Sequence, residues 1–443
     1  MQPLRDGALR GVPLVWLALA GSLAVAGCSE RASEPASVEP AAPAPQEPPA
    51  ASSAVAFEGA RVIVGDGTVI EQGVLVVDGP RIEAVGAMGD VDVPAGAERV
   101  DLAGMTVMPA IVDTHTHLSR ERDALIEDLR SRARFGVGAA LSLGQDDGDE
   151  LFRVRDETIP GAARYRLAGR GITSPEPGRS EIPYWITAAE EGRAAVRELA
   201  ERRVDIVKIW VDDRNGRYQK LGPELYGAVI DEAHAHGLRV TAHIFALEDA
   251  KGLLRAGIDA FAHGVRDRDV DDELVTLMKE RPHVVLVPNL PDRGVPTDLS
   301  WLEGKVPAER LAELQAAAST GRPEAQAAFA LQARNLARLV REGVTIALGT
   351  DGNTPWGPHL EMADMVEAGM TPEQVIIAAT RNGAALVGLD DMGTLEPGKS
   401  ADFIVLEADP LEDITNTRRI AAVYLRGERV PEAQGAERAA AVL

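Results

Sequence analysis

The sequence predicts an α/β protein: a (β/α)8 barrel of the TIM type, with a small β-sandwich domain built from both ends of the mature chain. Across the middle of the chain, apolar runs alternate with amphipathic helical stretches. On either side of this region, short segments alternate apolar and polar residues between glycine-rich turns, as antiparallel strands do. A chain of 443 residues, 45% of them hydrophobic, is long enough for one large domain and a smaller one.

Composition and pattern divide the chain into six parts. In order, they are a signal segment, a spacer rich in Pro, Ala and Glu, the first part of the β-domain, the barrel, the second part of the β-domain and a tail, over residues 1–27, 28–54, 55–107, 108–389, 390–434 and 435–443. The spacer has almost nothing to bury, so we expect it to be extended or disordered. Two unrelated β-hairpins are the alternative to one β-domain made from both ends.

The N-terminal segment is typical of an exported protein. Arg5 and Arg10 accompany the apolar stretch GVPLVWLALAGSLAVAG, which is shorter than a stable membrane span, and Cys28 follows it. Cys28 is the only cysteine in the chain, and VAGC at 25–28 resembles the lipobox of bacterial lipoproteins. The resemblance implies that a lipidated Cys28 anchors the protein to a membrane of the bacterial envelope, and Ser29 after it favours the outer membrane, facing the periplasm or the surface. An ordinary signal peptide with an incidental cysteine is the alternative.

Eight apolar runs, most of them separated by helical patterns, support the barrel. They are AIVDTHTH, GAALSLG, RYRLAGRGI, DIVKIWV, RVTAHIF, DAFAHGV, VVLVPNL and TIALGTD. Alternating strands and helices predict parallel strands with crossover helices, and eight such units fit a barrel of ordinary size. A doubly wound open sheet is the competing architecture. It requires a glycine-rich ligand loop after the first strand, where this chain has DTHTHL instead.

Polar side chains interrupt five of these runs at or near their carboxyl ends. They are His115 and His117 in the first strand, Lys208 in the fourth, His243 in the fifth, His263 in the sixth and Asp351 after the eighth. His115 and His117 leave one face of their strand, because strand side chains alternate. Each histidine taken singly has an ordinary interpretation as a core residue. Since all these strand ends share one face of a barrel, we expect the six side chains to converge.

The residue types suit one chemistry. Imidazole and carboxylate ligands fit zinc and similar ions, and the absence of cysteine ligands argues against a closed structural zinc site. A lysine buried in VDIVKIW is costly unless it is paired or chemically altered. These positions resemble the metal-dependent amidohydrolase superfamily, and TAHIF, FAHGV and GTLEPGKSADFIVLEADPL are similar to its imidazolonepropionase-like and prolidase-like branch. The resemblance extends over residues 55–430.

The resemblance implies a site with two divalent metal ions, for which zinc is the expected element. His115, His117 and Asp351 would hold one ion, His243 and His263 the other, and Lys208 would bridge both as a carbamate formed with carbon dioxide. A hydroxide bridging the two ions would attack the substrate carbonyl, while Asp351 acts as general base and then as general acid. A mononuclear site with an unmodified Lys208 is the alternative.

The predicted reaction is hydrolysis of an amide or peptide bond in a small molecule, with a dipeptide as the first candidate. A cyclic amide, lactone or ester is the alternative substrate, and a non-catalytic solute-binding lipoprotein is the alternative of another class. A formal net charge of −23 argues against a nucleic-acid partner. By position we expect Arg266, Asn289, His359 and Tyr218 to contact substrate. The loop WVDDRNGRYQK replaces a glycine-rich turn common in the branch, and its charges either contact substrate or pair with each other.

Overall fold

The computed structural model describes residues 52–432. The predicted signal segment, Cys28, the spacer up to residue 51 and the tail from residue 435 lie outside the described residues, so the lipid anchor stays a prediction. Within 52–432, no helix combines the length and the apolar composition that a membrane span requires.

The described strands form three sheets. In chain order they are β1 (Ala54–Ile63), β2 (Val69–Asp78), β3 (Arg81–Ala87), β4 (Glu98–Asp101), β5 (Thr106–Pro109), β6 (Ile111–Thr116), β7 (Val137–Ser142), β8 (Arg164–Leu167), β9 (Ile172–Thr173), β10 (Tyr184–Trp185), β11 (Val207–Val211), β12 (Val240–Ile244), β13 (Ala260–Ala262), β14 (Val285–Val287), β15 (Thr345–Ile346), β16 (Phe403–Leu406), β17 (Ile420–Leu425) and β18 (Glu428–Arg429).

Helices fill most of the connections between the parallel strands. They are α1 (Arg122–Arg134), α2 (Asp149–Asp156), α3 (Ala189–Glu201), α4 (Pro223–Ala235), α5 (Leu247–Ala256), α6 (Asp272–Lys279), α7 (Ala308–Ala317), α8 (Pro323–Arg341), α9 (Gly357–Glu367), α10 (Pro372–Ile377) and α11 (Gly383–Leu386), with 3₁₀ turns at Ser300–Leu302 and Ile414–Arg418 and a π-helical turn at Ala378–Asn382. Local sequence fixes several of the helix ends. The Thr371 side chain caps α10 by accepting a hydrogen bond from the Gln374 amide, and Gly257 ends α5 in the left-handed conformation.

Both ends of the described chain contribute to one mixed sheet. Its strand order is β18-β17-β16-β5-β1-β2-β3, with β4 paired to β1. The C-terminal strand β16 pairs antiparallel with β5, and Phe403 lies opposite Pro109. Phe403 stacks on Tyr424 with ring centroids 4.7 Å apart, and Phe57 meets both rings edge-on. Because these strands form a single hydrogen-bonded sheet, the sandwich arrangement expected for the β-domain is not confirmed.

Each of the eight predicted apolar runs contains a parallel strand. β6, β7 and β8 form one sheet, and β11 to β15 belong to a second, whose other edge carries the short strands β9 and β10. Backbone hydrogen bonds connect the two sheets at both junctions. Asp351 N donates to His115 O over 2.8 Å, and Asp205 N donates to Leu167 O over 3.0 Å. The arrangement is therefore TIM-barrel-like, although the strand ladder itself is interrupted where the sheets meet.

Arg164, at the start of β8, connects the parallel strands to the C-terminal part of the chain. Its Nη1 donates to Asp391 over 2.7 Å, and its Nη2 donates to Ser400 over 2.7 Å and to Asp402 over 3.0 Å. The carboxylate of Asp402 is almost completely buried. Removing Arg164 would leave that carboxylate without its ion-pair partner, which is costly in a low-dielectric environment.

We therefore predict that Arg164→Met lowers the free energy of unfolding by about 3 kcal/mol. The matched control is Arg153→Met, because Arg153 forms an exposed ion pair with Glu150 within α2. The control is expected to change stability by less than about 1 kcal/mol. Urea unfolding of the two variants measures both values, and equal stabilities would contradict the role given to Arg164.

Candidate metal centre

The end of β6 presents two imidazoles to one carboxylate. His115 Nε2 lies 3.1 Å and His117 Nε2 lies 3.0 Å from Oδ1 of Asp351. The two rings are 5.4 Å apart between centroids, as expected for side chains two residues apart on one strand face. One ligand atom from each of these three residues falls within 4.8 Å of the others. This spacing fits a shared metal ion.

Asp351 reaches the histidines from a turn that follows β15. Its backbone φ is +51°, in the left-handed region that non-glycine residues rarely adopt. His263 and Asn289, which follow β13 and β14, also have positive φ angles, of 121° and 44°. Three successive strands thus end in unfavourable backbone conformations at the same place. Such conformations persist only where the surrounding structure enforces them, and they cluster at functional sites.

His263, His243 and Lys208 extend the cluster beyond the first three residues. His263 Nε2 is 3.5 Å from Oδ2 of Asp351, and the His263 ring centroid lies 5.2 Å from that of His115 and 4.5 Å from that of His243. Among the described residues, neither ring nitrogen of His263 has a hydrogen-bond partner, and the Lys208 Nζ has none either. Buried polar atoms without partners are expensive, so these atoms indicate a place for an additional ligand.

Burial keeps the imidazoles of His115, His243 and His263 neutral, which is the form that binds a metal. Burial lowers the pKa of His115 to about 3, with a further contribution from the charge of Lys208. Burial also lowers the pKa of His243 and of His263 well below the ordinary value, and the nearby cation Arg266 adds to both shifts. Neutral imidazoles together with a carboxylate are a donor set suited to zinc and related ions.

The pKa values of Lys208 and Asp351 are also changed by this buried environment. Burial lowers the pKa of Lys208 to about 7, and the cations Arg266 and Arg214 act in the same direction. Burial acts to raise the pKa of Asp351, but His115, His117 and His263 outweigh it and hold the pKa well below the usual range. Asp351 is therefore ionised, and the Lys208 amine is deprotonated far more readily than an exposed lysine.

Charged side chains of the loop after β11 pair with each other and also contact the cluster. Arg214 donates to Asp212 over 2.7 Å and to Glu176 over 3.0 Å. His243 Nε2 lies 3.0 Å from Asp212 Oδ2 and 3.0 Å from Arg214 Nη1. The charged loop after β11 thus forms one wall of the site.

Two of the four predicted substrate contacts lie at the cluster. Arg266 Nη2 is 3.0 Å from His243 Nε2, and the Arg266 Nε is buried with no partner within residues 52–432. Asn289 Nδ2 is 2.8 Å from His115 Nδ1, so Asn289 fixes the orientation of a ring at the centre of the site. A polar partner on the outer nitrogen of a metal-binding imidazole is a common arrangement.

The structure does not bring His359 to the cluster, whereas Tyr218 belongs to the loop after β11 that borders the site. His359 is fully buried on α9, where its ring nitrogens lie 3.1 Å from Thr417 Oγ1 and 2.9 Å from the carbonyl of Phe135. The Tyr218 hydroxyl donates to the carbonyl of Pro177. His359 is a satisfied core histidine here, and its place after Asp351 in the sequence was a poor guide because α9 packs towards the end of α1.

Sequence reasoning missed Asp113, Glu176 and Arg132, all of them buried close to the site. Asp113 carries the clearest signal, because it precedes His115 by two residues and so belongs to the same alternating face of β6. Glu176 and Arg132 lie in a loop and on a helix, where strand periodicity says nothing about which way a side chain points.

Comparison with known proteins identifies the family to which the chain belongs. The profile of the amidohydrolase family matches residues 181–430. The chain is 29% identical to an ochratoxinase from Aspergillus niger over 414 residues, which covers 80% of this chain and 81% of that protein. It is 27% identical to an imidazolonepropionase from Deinococcus radiodurans, with 83% and 94% covered. A solved structure of a putative prolidase from Bifidobacterium longum superposes with a TM-score of 0.71 at 26% identity, over 89% of this chain and 99% of that one.

Gly349 provides a test of how closely the strand ends must approach one another around His115. A Cβ at Gly349 would lie 2.5 Å from Val287 Cγ1, 2.8 Å from His115 Cβ and 2.9 Å from Asn289 Oδ1. Gly349→Ala therefore has to displace His115 or its neighbours, and we predict that it weakens retention of a divalent ion by about tenfold or more. Metal content after equilibrium dialysis measures this effect.

Gly352→Ala is the matched control for this prediction. Gly352 lies in the same turn, but a Cβ there would have no heavy atom closer than 3.7 Å. The control variant is expected to retain metal as the unaltered protein does. If Gly349→Ala did the same, the close approach at Gly349 would have no bearing on the site.

Proposed function

As a member of the amidohydrolase family, the chain is a hydrolase that acts on carbon–nitrogen bonds, and we propose that it cleaves the amide bond of a small, dipeptide-like molecule at a centre of two divalent metal ions. The observation that carries this proposal is the convergence of His115, His117 and Asp351 with two further buried histidines and a buried lysine. Neutral imidazoles, an ionised carboxylate and orphaned buried nitrogens fit bound metal ions.

We assign the ligands by position. His115, His117 and Asp351 would hold one ion, His243 and His263 would hold the other, and a carboxylated Lys208 would supply a further anionic ligand. Bound divalent ions supply an activated water and a Lewis acid for the substrate carbonyl, and zinc is the element we expect. Among the described residues, the three-member cluster alone brings its ligand atoms within 4.8 Å, so it is the better-defined half of the centre.

Three residues near the proposed ions have distinct roles in the reaction. Asp351 is ionised and faces three imidazoles, which suits it to take a proton from the attacking water and return it to the leaving nitrogen. Asn289 keeps the His115 ring in place. Arg266 lies beside His243 and has an unpaired Nε, so it can donate a hydrogen bond to an oxygen of the substrate.

Charge and similarity support this substrate class. Arg214 is neutralised by Asp212 and Glu176, whereas Arg266 beside His243 has no carboxylate partner among the described residues and favours a substrate with an anionic group, such as the carboxylate of a dipeptide. The similarity to a putative prolidase supports a peptide-like substrate. A screen of dipeptides, N-acyl amino acids and lactones with purified protein tests the choice, and activity on lactones alone would replace the amide proposal.

We predict that chelation of divalent ions abolishes hydrolysis and that zinc restores it. Asp351→Asn keeps the shape of the side chain but removes its charge and its capacity to accept a proton, so hydrolysis is expected to fall by about 10²–10⁴-fold. Asp269→Asn is the control, because Asp269 is an exposed residue paired with Arg334. Full activity in Asp351→Asn, or in metal-free protein, would refute the mechanism.

Lys208 gives a separate prediction about the second ion. Its amine can form a nitrogen–carbon bond with carbon dioxide and release a proton, which yields an anionic carbamate in place of a buried cation. Protein equilibrated with carbon-13 bicarbonate is therefore expected to show one carbamate signal by carbon-13 NMR and to bind two metal ions per chain.

Lys208→Arg removes the amine, so this variant is expected to lose the carbamate signal and one of the two ions. Lys251→Arg is the matched control, since Lys251 is also buried but its Nζ is paired with the carboxylates of Glu248, Asp271 and Glu273. The control is expected to keep the signal. Protein without the signal and with one ion per chain would establish the mononuclear alternative.

A further inference from the structure

Two buried charged residues lie at the candidate metal centre without being among its ligands. Asp113 is on β6 and Arg132 is near the end of α1, and both side chains are completely buried. Two nitrogens of Arg132, Nε and Nη1, have no hydrogen-bond partner within residues 52–432. Burying charges in this way costs free energy, so this pair is expected to have a specific role.

Asp113 connects β6 to the turn that carries Asp351. Its Oδ1 accepts hydrogen bonds from the backbone amides of Thr350, at 3.1 Å, and His115, at 3.3 Å. Its Oδ2 accepts a hydrogen bond from the Thr350 hydroxyl at 2.8 Å. Both carboxylate oxygens are therefore used, and Thr350 is held through its backbone and its side chain together. Hydrogen bonds to a charged acceptor are among the stronger ones in proteins.

Arg132 holds the other side of the same turn. Its Nη2 donates to the carbonyl of Gly352 over 3.4 Å, and the same carbonyl accepts a hydrogen bond from the backbone amide of His117 at 3.3 Å. Arg132 also supplies positive charge near Asp113. Burial raises the pKa of Asp113 to about 6, and Arg132 is the largest influence that opposes this rise.

The two residues next to Asp351 are thus each held by a buried charge. Asp351 lies between them with φ at +51°, a conformation that costs free energy for an aspartate. Without restraint on Thr350 and Gly352, the turn would relax towards a more common conformation. The Asp351 carboxylate would then leave the position in which it contacts three histidines.

We propose that Asp113 and Arg132 are positioning residues that hold the Asp351 turn in its left-handed conformation and so aim its carboxylate at the histidines. This inference rests on the proposed function for its consequence, because it concerns the residue assigned as metal ligand and base. The conformation of the turn can nevertheless be measured without a metal ion or a substrate.

The decisive experiment uses Thr350, because removing a buried charge from Asp113 or Arg132 risks unfolding the protein. Thr350→Val keeps the size and branching of the side chain but cannot donate to Asp113, whereas Thr350→Ser keeps the hydroxyl. In metal-free protein, hydrogen–deuterium exchange reports on the Asp351 amide, which donates to His115 O. We expect Thr350→Val to exchange there about tenfold faster, and Thr350→Ser within about twofold of the unaltered protein.

Metal retention gives a second readout. Thr350→Val is expected to bind zinc about 10–100-fold more weakly than the unaltered protein, and Thr350→Ser to bind it nearly as well. Asp402→Asn is the control for a merely structural effect, because Asp402 is a buried carboxylate that holds Arg164 and the backbone amide of Arg426 instead. This control is expected to lower thermal stability without changing exchange at Asp351.

The outcomes separate this inference from the proposed function. If Thr350→Val and the unaltered protein exchange equally at the Asp351 amide, the positioning role of Asp113 is wrong, whatever the metal measurements show. If the unaltered protein binds no divalent ion but the exchange rates differ as expected, the positioning role stands and the proposed metal-dependent hydrolysis is wrong.

Discussion

The backbone carbonyl of His115 is the point on which the site depends. It accepts hydrogen bonds from the amides of Thr350, at 3.1 Å, and Asp351, at 2.8 Å, and so joins the first parallel strand to the turn after the last one. The same residue places its imidazole against the Asp351 carboxylate. Main-chain bonds, which are less adaptable than side-chain contacts, therefore set the separation of the two groups. A change of register at this junction would move a histidine and the aspartate at once.

Strain and burial act together around this junction. Asp351, His263 and Asn289 follow three successive strands in left-handed backbone conformations, each at a cost of about 1–3 kcal/mol. The large apolar core offsets such costs, since helices cover both parallel sheets and most of their strand residues are buried. The same burial keeps the imidazoles of His115 and His263 neutral. A rigid and dry environment thus provides both the geometry and the protonation state that metal ligation needs.

Much of this arrangement could be predicted from the sequence because it depends on strand periodicity. All eight apolar runs contain strands, and the alternation of His115 and His117 placed both rings on one face. Arg266 and Asn289 lie at the cluster because each follows a strand end within four residues. Asp113 follows the same alternation. From sequence alone, however, it cannot be distinguished from an ordinary polar strand residue, because its partner in the Asp351 turn is revealed only by the structure.

Residues beyond the strand ends were harder to place. His359 follows Asp351 by eight positions, yet α9 carries it to the carbonyl of Phe135. Arg214 reaches His243 because two consecutive left-handed residues, Arg214 and Asn215, turn its loop back over the site. Neither position can be predicted from sequence periodicity, because both depend on tertiary packing. The single mixed sheet is a similar case, because strand patterns do not tell whether two sets of strands stack or pair edge to edge.

The position of β16 has a consequence for how the molecule is made. This strand lies between β5 and β17, so the hydrogen-bonding edge of β5 stays open until residues 403–406 have been synthesised. In a nascent chain, the edge of β5 therefore stays unpaired while the segments of all the parallel strands are synthesised. Only the C-terminal segment can then cover it. Contacts across nearly 300 positions in sequence slow folding, because long loops have to close first. Until residues 403–406 have been synthesised, the first sheet therefore remains unfinished.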